Sequence, residues 1–151
     1  MNQVVPDPKT GKEMAVGYVT QYFLQHNSVF SDYYSTEYAK YTPDPEIVKE
    51  LSQLFDKTSI IIVLGTWCED SQKQVPRFLK VIDPLEAADK FSYLCVDHEK
   101  KAGDMDIKDL NILKVPTFIV YYDGNEAGRI VETPVETIEK DLLNILQKAR
   151  K

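Results

Sequence analysis

The sequence predicts an α/β fold in which helices flank a central mixed sheet of four to five strands. The run "SIIIVLG" at 59–65 is rich in β-branched residues and lacks polar alternation, as strands covered on both faces do. A helical spacing of apolar residues separates it from a second apolar run at 91–97, which predicts a strand–helix–strand unit with a right-handed crossover. Two further strand-like runs surround an Asp-Gly turn, and a final amphipathic pattern predicts a C-terminal helix.

Residues 1–43 are predicted to form a tail and an aromatic-rich helical extension. Residues 1–12 are polar and contain two prolines and one glycine, which indicates a loose tail. Residues 13–26 repeat apolar and aromatic side chains at helical spacing, which predicts a helix. Six of the nine tyrosines precede residue 45. We expect these rings to pack on the main domain because aromatics bury large areas, and a docking surface for a larger assembly is the alternative.

Residues 44–151 are predicted to form the main domain, which begins with a helix. Asp44 suits the N-cap of that helix, and Pro45 suits its first position. In the helix between the two buried strands, Pro76 is expected to bend the helix or to end its first turn, because proline lacks a backbone N–H. A short helical turn is expected at 105–110, before the hairpin.

The last helix carries its own start signal. Thr133 is predicted as its N-cap and Pro134 as its first residue. Glu136 completes a capping box with Thr133, since a glutamate three residues after the cap reaches back to the cap's N–H. The apolar residues that follow recur at helical spacing and form the face that the domain buries.

Composition and charge limit the class of protein. The chain has 151 residues, of which 43% are hydrophobic and 28% are charged, as in a globular domain with a modest extension. Its net charge is −6 and it has no basic block, which argues against nucleic acid or an anionic membrane as a partner. No apolar stretch reaches the roughly 18 residues of a spanning helix. The N-terminus lacks the pattern of a signal peptide, so we expect a cytoplasmic protein.

Several motifs together resemble those of the thioredoxin family. Trp67 and Cys68 follow the first buried strand directly, Pro76 lies in the next helix, and "KVPTF" at 114–118 precedes the hairpin. The resemblance covers residues 45–150 and implies a thioredoxin-like fold with activity in thiol–disulfide exchange. By the same resemblance, the protein acts on a disulfide or a cysteine of a partner protein, or on a small thiol such as glutathione.

The resemblance also implies roles for the residues that match the motifs. Cys68 matches the attacking cysteine, and Trp67 matches the tryptophan before it. Pro116 matches a cis-proline beside the sulfur, with Val115 and Thr117 around it, where the backbone pairs with an extended substrate segment. A cis X-Pro bond is rare enough to be a specific feature.

The sequence departs from the family at three places. Glu69 and Asp70 stand where thioredoxins usually carry glycine and proline, so they become candidate substrate contacts. Ser71 replaces the resolving cysteine, so the motif is Cys-x-x-Ser. Ile62 stands where many thioredoxins bury an acid. Because a hydroxyl forms no disulfide, release of a mixed disulfide needs an external thiol, and net reduction of disulfides is expected to be poor.

The chemistry of Cys68 follows from its position as well. A cysteine at a helix N-terminus faces unpaired N–H groups and the positive end of the helix dipole, which favour the nucleophilic thiolate. The Ser71 hydroxyl is expected to steady that thiolate, whereas Glu69 and Asp70 oppose it by their negative charge. An inert, half-buried cysteine is the alternative for Cys68. A peptide-binding module without turnover is the alternative for the whole chain.

No cofactor and no metal are expected. The chain has two cysteines and two histidines, which are far apart in sequence and too few for a typical zinc site. Cys95 lies in the middle of a strand and is interpreted as a buried hydrophobe rather than a resolving thiol. His98 is interpreted as a solvated loop residue. A cluster-binding monothiol glutaredoxin fits poorly, because the glycine that usually follows its cysteine is missing here.

Overall fold

The computed structural model describes all 151 residues, which form a six-stranded mixed sheet flanked by helices. The strands are β1 Gln3–Pro6, β2 Glu13–Val19, β3 Thr58–Leu64, β4 Phe91–Cys95, β5 Thr117–Tyr122 and β6 Asn125–Val131. The helices are α1 Gln21–His26, α2 Ser31–Lys40, α3 Pro45–Leu54, α4 Glu69–Ile82 and α5 Ile138–Ala149. Short 3-10 turns lie at Asp83–Leu85, Ala88–Lys90 and Lys108–Leu110. None of the helices combines the length and the apolar character that spanning a bilayer requires.

The order of the sheet is β1-β2-β4-β3-β5-β6, so the strand that leads to Cys68 lies inside the sheet. β3 and β4 are parallel, with α4 as their crossover, and every other neighbouring pair is antiparallel. β5 and β6 form the predicted hairpin around Asp123 and Gly124, where Gly124 adopts the left-handed φ of +85°. The chain therefore has the thioredoxin-like fold that the sequence predicts.

β3 is buried on both faces, which explains its lack of polar alternation. Ile60, Ile62 and Leu64 point into the larger apolar core, to which α4 and α5 also contribute. Ile61 and Val63 point to the opposite face, where they belong to a smaller apolar cluster. Fully burying such a side chain contributes about 1.5–3 kcal/mol, so a rigid strand leads directly to the loop before Cys68.

The N-terminal segment differs from its prediction. Residues 13–19 form a strand rather than the start of a helix, and a second strand, Gln3–Pro6, replaces the predicted loose tail. β2 pairs with β4 through Gly17 and Cys95, which satisfies backbone groups that would otherwise lie at an open edge. This long-range pairing outweighs the helical spacing, so the sheet has six strands rather than four to five. The helical part of the extension is confirmed in α1 and α2.

The helix ends follow the sequence in part. Asp44 caps α3 as predicted, and its carboxylate accepts the N–H of Glu46 at 3.0 Å. α4 does not end at its first turn but runs through Pro76, which is buried. The predicted turn at 105–110 is limited to Lys108–Leu110.

The predicted start of α5 at Thr133 is wrong, since the helix begins at Ile138 with Thr137 as its N-cap. The backbone N–H groups of Val135 and Glu136 donate to the carboxylate of Asp141 at 2.7 and 3.1 Å. These two bonds fold the chain into a turn ahead of the helix, so the capping box at residues 133–136 does not form.

The helices of the extension pack on the rest of the chain. Leu24 of α1 and Phe30 before α2 are fully buried in the larger core. The Tyr38 hydroxyl donates to the carboxylate of Asp83 at 2.7 Å, and burial together with this bond raises the pKa of Tyr38. Packing thus explains the buried tyrosines, whereas Tyr22 is 69% exposed.

Candidate functional site

Cys68 lies where the sequence places it, at the N-terminus of the helix that follows the buried strand. It is the N-cap residue of α4, with an extended backbone at φ −90° and ψ 126°, and its N–H donates to the carbonyl of Gly65 at 3.0 Å. The side chain is half-buried. Its sulfur lies 3.5 Å from the carbonyl oxygen of Val115, toward which the thiol donates. The structure therefore brings Cys68 and the segment before β5 together across 47 residues.

The segment that faces Cys68 is tightly held. The Val115–Pro116 peptide bond is cis, and Val115, Pro116 and Thr117 are all buried. The Thr117 hydroxyl donates to the carbonyl of Lys114 at 2.6 Å, and the carbonyl of Pro116 accepts the N–H of Glu132 at 2.8 Å. These bonds fix the carbonyl of Val115 against the sulfur.

Trp67, the residue before Cys68, contacts the end of β4 and the loop that follows β3. Its indole N–H donates to the carbonyl of Val96, the residue after β4, at 2.9 Å. The indole also lies on Gly65, because a Cβ built on that glycine would come within 2.6 Å of the ring. Cys68 and the half-buried Trp67 pack against the same small apolar cluster, which contains Val96 and Val115.

Ser71 does not face the sulfur as expected. It is fully buried, and its hydroxyl oxygen accepts the N–H of Gly65 at 3.1 Å. The side chain points back toward the end of β3, where the loop offers a buried N–H without another partner. Ser71 therefore stabilises the loop that carries Cys68, and the predicted contact with the thiolate is not present in the structure.

Two more polar side chains stabilise the same loop and escaped the sequence analysis. The Thr66 hydroxyl accepts the N–H of Ala15 in β2 at 3.3 Å, so the extension reaches the loop directly. The amide of Gln72 donates to the carbonyl of Thr66 at 2.9 Å. Thr66 is adjacent to Trp67, but nothing in the sequence pairs it with a residue 51 positions earlier.

Glu69 and Asp70 occupy the first turn of α4. Glu69 is exposed and Asp70 is half-buried, and neither forms an ion pair within 4.0 Å. Carboxylates in a first turn stabilise the helix through its dipole. The two carboxylates therefore add negative charge next to Cys68.

Cys95 belongs to the core, as predicted. Burial raises the pKa of its thiol, and both cysteines are free. It pairs in register with Leu64 and with Gly17 inside the sheet, so it offers no sulfur to the surface. No group of three or more His, Cys, Asp or Glu side chains converges in a metal-binding arrangement.

His98 and Asp7 lie together beside Trp67, so His98 is not the solvated loop residue, nor Asp7 the part of a loose tail, that the sequence predicts. The His98 side chain is 17% exposed and the Asp7 side chain 1% exposed, and the Nε2 of His98 lies 2.9 Å from the Asp7 carboxylate. The His98 ring lies 4.0 Å from the Trp67 ring between centroids. The two residues are 91 positions apart, so only the pairing of β2 with β4 brings them together.

Comparison with known proteins gives similarity in fold only. No family model matches the chain, and no curated protein matches it. A solved protein of unknown function from Pseudomonas aeruginosa is similar with a TM-score of 0.61 and 17% identity, over 88% of this chain and 93% of that one. An HIV epitope-scaffold is similar with a TM-score of 0.57 and 14% identity, over 87% and 93%. Thioredoxin f from spinach chloroplast matches with a TM-score of 0.41 and 22% identity, over 67% of this chain and 77% of the thioredoxin.

Fold and site together define a class. The chain is a thioredoxin-like α/β protein with one accessible cysteine at the N-terminus of its central crossover helix.

Proposed function

We propose that this protein carries out thiol–disulfide exchange through Cys68 alone. The observation that carries the proposal is the position of its sulfur, half-buried at the start of α4 and next to the backbone of Val115. A cysteine at a helix N-terminus meets unpaired N–H groups and the positive end of the dipole, which favour attack by the thiolate. Cys95 is fully buried and gives no second thiol for the reaction.

The reaction is an exchange without net oxidation. The Cys68 thiolate attacks one sulfur of a substrate disulfide, a new S–S bond forms with Cys68, and the other substrate sulfur leaves as a thiolate. An external thiolate then attacks the substrate sulfur of this mixed disulfide. Cys68 leaves as a thiolate, and the substrate remains joined to the external thiol. The number of disulfide bonds is the same before and after.

The substrate is a disulfide of a protein or of a low-molecular-weight thiol such as glutathione. Val115, Pro116 and Thr117 would position the backbone of an extended substrate beside the sulfur, and Trp67 would cover its apolar part. Glu69 and Asp70 favour a substrate with positive charge near its disulfide, since they are free of ion pairs. We place the exchange in the cytoplasm, where small thiols that release mixed disulfides are abundant.

Trapping of a mixed disulfide tests the proposal. The wild-type protein is incubated with oxidised glutathione, and the adduct is measured by intact mass at neutral pH. We expect one glutathione per chain, none in Cys68→Ser, and an unchanged adduct in the matched control Cys95→Ser. A wild-type chain that gains no adduct, or one modified at Cys95 instead, would refute single-cysteine exchange through Cys68.

A second candidate function is a peptide-binding module without turnover. It is favoured by the contact between the Cys68 sulfur and the Val115 carbonyl at 3.5 Å, where a thiol donates its hydrogen but a thiolate has no donor. The inward orientation of Ser71 agrees with it. If Cys68→Ser pulls down the same proteins from a cell extract as the wild type does, and binds them as tightly, binding without exchange is the better account.

A further inference from the structure

Three side chains from distant parts of the chain form a continuous row next to the site. Asp7 lies in the turn between β1 and β2, His98 follows β4, and Trp67 precedes Cys68. The His98 Nε2 lies 2.9 Å from each carboxylate oxygen of Asp7. On its other side, the imidazole packs on the indole of Trp67, with 4.0 Å between the ring centroids and 33° between the ring planes.

The Asp7 end of the row is a carboxylate. Burial raises its pKa, but hydrogen bonds from His98, from the Lys9 N–H at 2.9 Å and from the Thr10 hydroxyl outweigh burial and hold the pKa below its usual range. An ionised carboxylate only accepts, so the Nε2 of His98 carries a hydrogen and donates it. β1 and β2 form the N-terminal hairpin, and Asp7 in its turn thereby sets both the orientation of the imidazole and which ring nitrogen carries the hydrogen.

The Trp67 end of the row is held on three sides. Gly65 lies under the indole, the Val96 carbonyl accepts its N–H, and the His98 ring covers a further face. Of these contacts, the one with His98 is the one that a side chain of the β1–β2 turn holds directly. A change of the Asp7 side chain therefore reaches the indole through the imidazole, whereas the β2 backbone reaches the loop through Thr66.

We propose that His98, held by Asp7, is a positioning residue for Cys68. It fixes the Trp67 indole, which packs on the same small apolar cluster as Cys68, and so sets how accessible the sulfur is to a reacting partner. The proposal rests on the proposed function in one respect, namely that Cys68 is the reacting atom. It assigns to the N-terminal hairpin a part in the site that motifs around Cys68 do not reveal. His98 acts through Trp67 and does not itself contact the sulfur.

The test uses Trp67 as a reporter, since it is the only tryptophan of the chain. Asp7→Asn, His98→Gln and the double variant are compared with the wild type in the full-length chain. His98→Gln keeps a donor for Asp7 but removes the ring, and Asp7→Asn keeps the shape but removes the charge. The matched control is His26→Asn, because His26 also stacks on an aromatic ring at 4.0 Å, that of Tyr22, but in α1.

Two rates are measured where urea titrations show every variant to be fully folded. Acrylamide quenching of fluorescence reports exposure of the indole, and iodoacetamide labelling read by intact mass reports access to Cys68. Loss of one aromatic contact shifts a local equilibrium about two- to tenfold, so we expect both rates to rise by about that factor in His98→Gln. Asp7→Asn should raise both, and the double variant should exceed neither single variant by much, because the residues act as a unit.

Three results would overturn the inference. The first is a rise in indole quenching with an unchanged rate of Cys68 labelling, which would leave the row a purely structural contact. The second is a full additive effect in the double variant, and the third is an equal effect in His26→Asn. Failure of the proposed function is separate, because it appears as a wild-type chain that forms no adduct with oxidised glutathione, whereas quenching and alkylation do not require exchange.

Discussion

Gly65→Ala perturbs the loop before Cys68 at the point of closest approach. A Cβ at this position would lie 2.6 Å from Cε2, 2.8 Å from Cζ2 and 2.9 Å from Nε1 of the Trp67 indole. The φ of Gly65 is not in the left-handed region, so alanine meets no backbone strain there. The substitution is therefore a steric test of how firmly the indole is placed.

The magnitude follows from three contributions. Overpacking costs about 1–3 kcal/mol, and loss of the indole hydrogen bond to Val96 costs about 0.5–1.5 kcal/mol. Replacing glycine reduces the entropy of the unfolded chain, which offsets about 0.4–1 kcal/mol. Together these contributions lower the expected free energy of unfolding of Gly65→Ala by about 0.5–4 kcal/mol, with the indole displaced.

Urea unfolding and the fluorescence of Trp67 provide the assay. The displaced indole should show emission at longer wavelength in the folded state. Gly128→Ala is the matched control, since its Cβ would approach only side-chain carbons of Ile145, at 3.1 Å or more, which yield more easily. Unchanged emission and a loss of stability no larger than that of Gly128→Ala would refute the placement of Trp67 on Gly65.

Further predictions concern the loop before Cys68, the N-terminal hairpin of β1 and β2, and the extension at residues 1–43. Ser71→Ala leaves the N–H of Gly65 buried without an acceptor, so urea unfolding should show a loss of about 1–3 kcal/mol, while labelling of Cys68 in the folded state stays near the wild-type rate. A change in the rate of Cys68 labelling in this variant would mean that Ser71 acts on the sulfur after all. The depressed pKa of Asp7 stabilises the fold above about pH 4, and this contribution is lost as the pH falls through the folded-state value, so the unfolding free energy of the wild type should fall more steeply in acid than that of Asp7→Asn. Parallel pH profiles for the two proteins would argue against this linkage. Deletion of residues 1–43 uncovers the edge of β4 and part of the larger core, and light scattering should show aggregation; a monomeric, folded remainder would contradict that reading.

The central part of the fold could be predicted from local patterns because each pattern has one structural solution. The uninterrupted apolar run of β3 requires cover on both faces, and the larger core and the smaller cluster provide it. Asp44 and Pro45 start α3, and the Asp-Gly pair makes the hairpin between β5 and β6. In these places local chemistry and tertiary packing favour the same conformation.

The N-terminal segment and the orientation of Ser71 could not be predicted, because both depend on distant partners. Residues 13–19 have helical spacing, but the open edge of β4 presents unpaired backbone N–H and C=O groups. Only an extended segment can pair with these groups, so residues 13–19 form a strand. Ser71 would reach the sulfur if the helix start were isolated. The buried N–H of Gly65 competes for its hydroxyl, and leaving that donor without a partner would cost more than leaving the half-buried thiol without the hydroxyl, because the thiol already donates to Val115.

The environment of Cys68 is therefore partly made by the extension. β2 contributes the Ala15 N–H to the Thr66 hydroxyl, and the β1–β2 turn contributes Asp7 to His98. The first contact holds Thr66, which precedes Trp67 in the chain. The second holds the His98 ring, which lies against the Trp67 indole. If Cys68 exchanges disulfides as proposed, it has no resolving thiol, and its reaction depends on which molecules can reach the sulfur. In this chain the extension limits that access from a sheet edge, so changes in the first twenty residues should alter the chemistry of a sulfur that they do not touch.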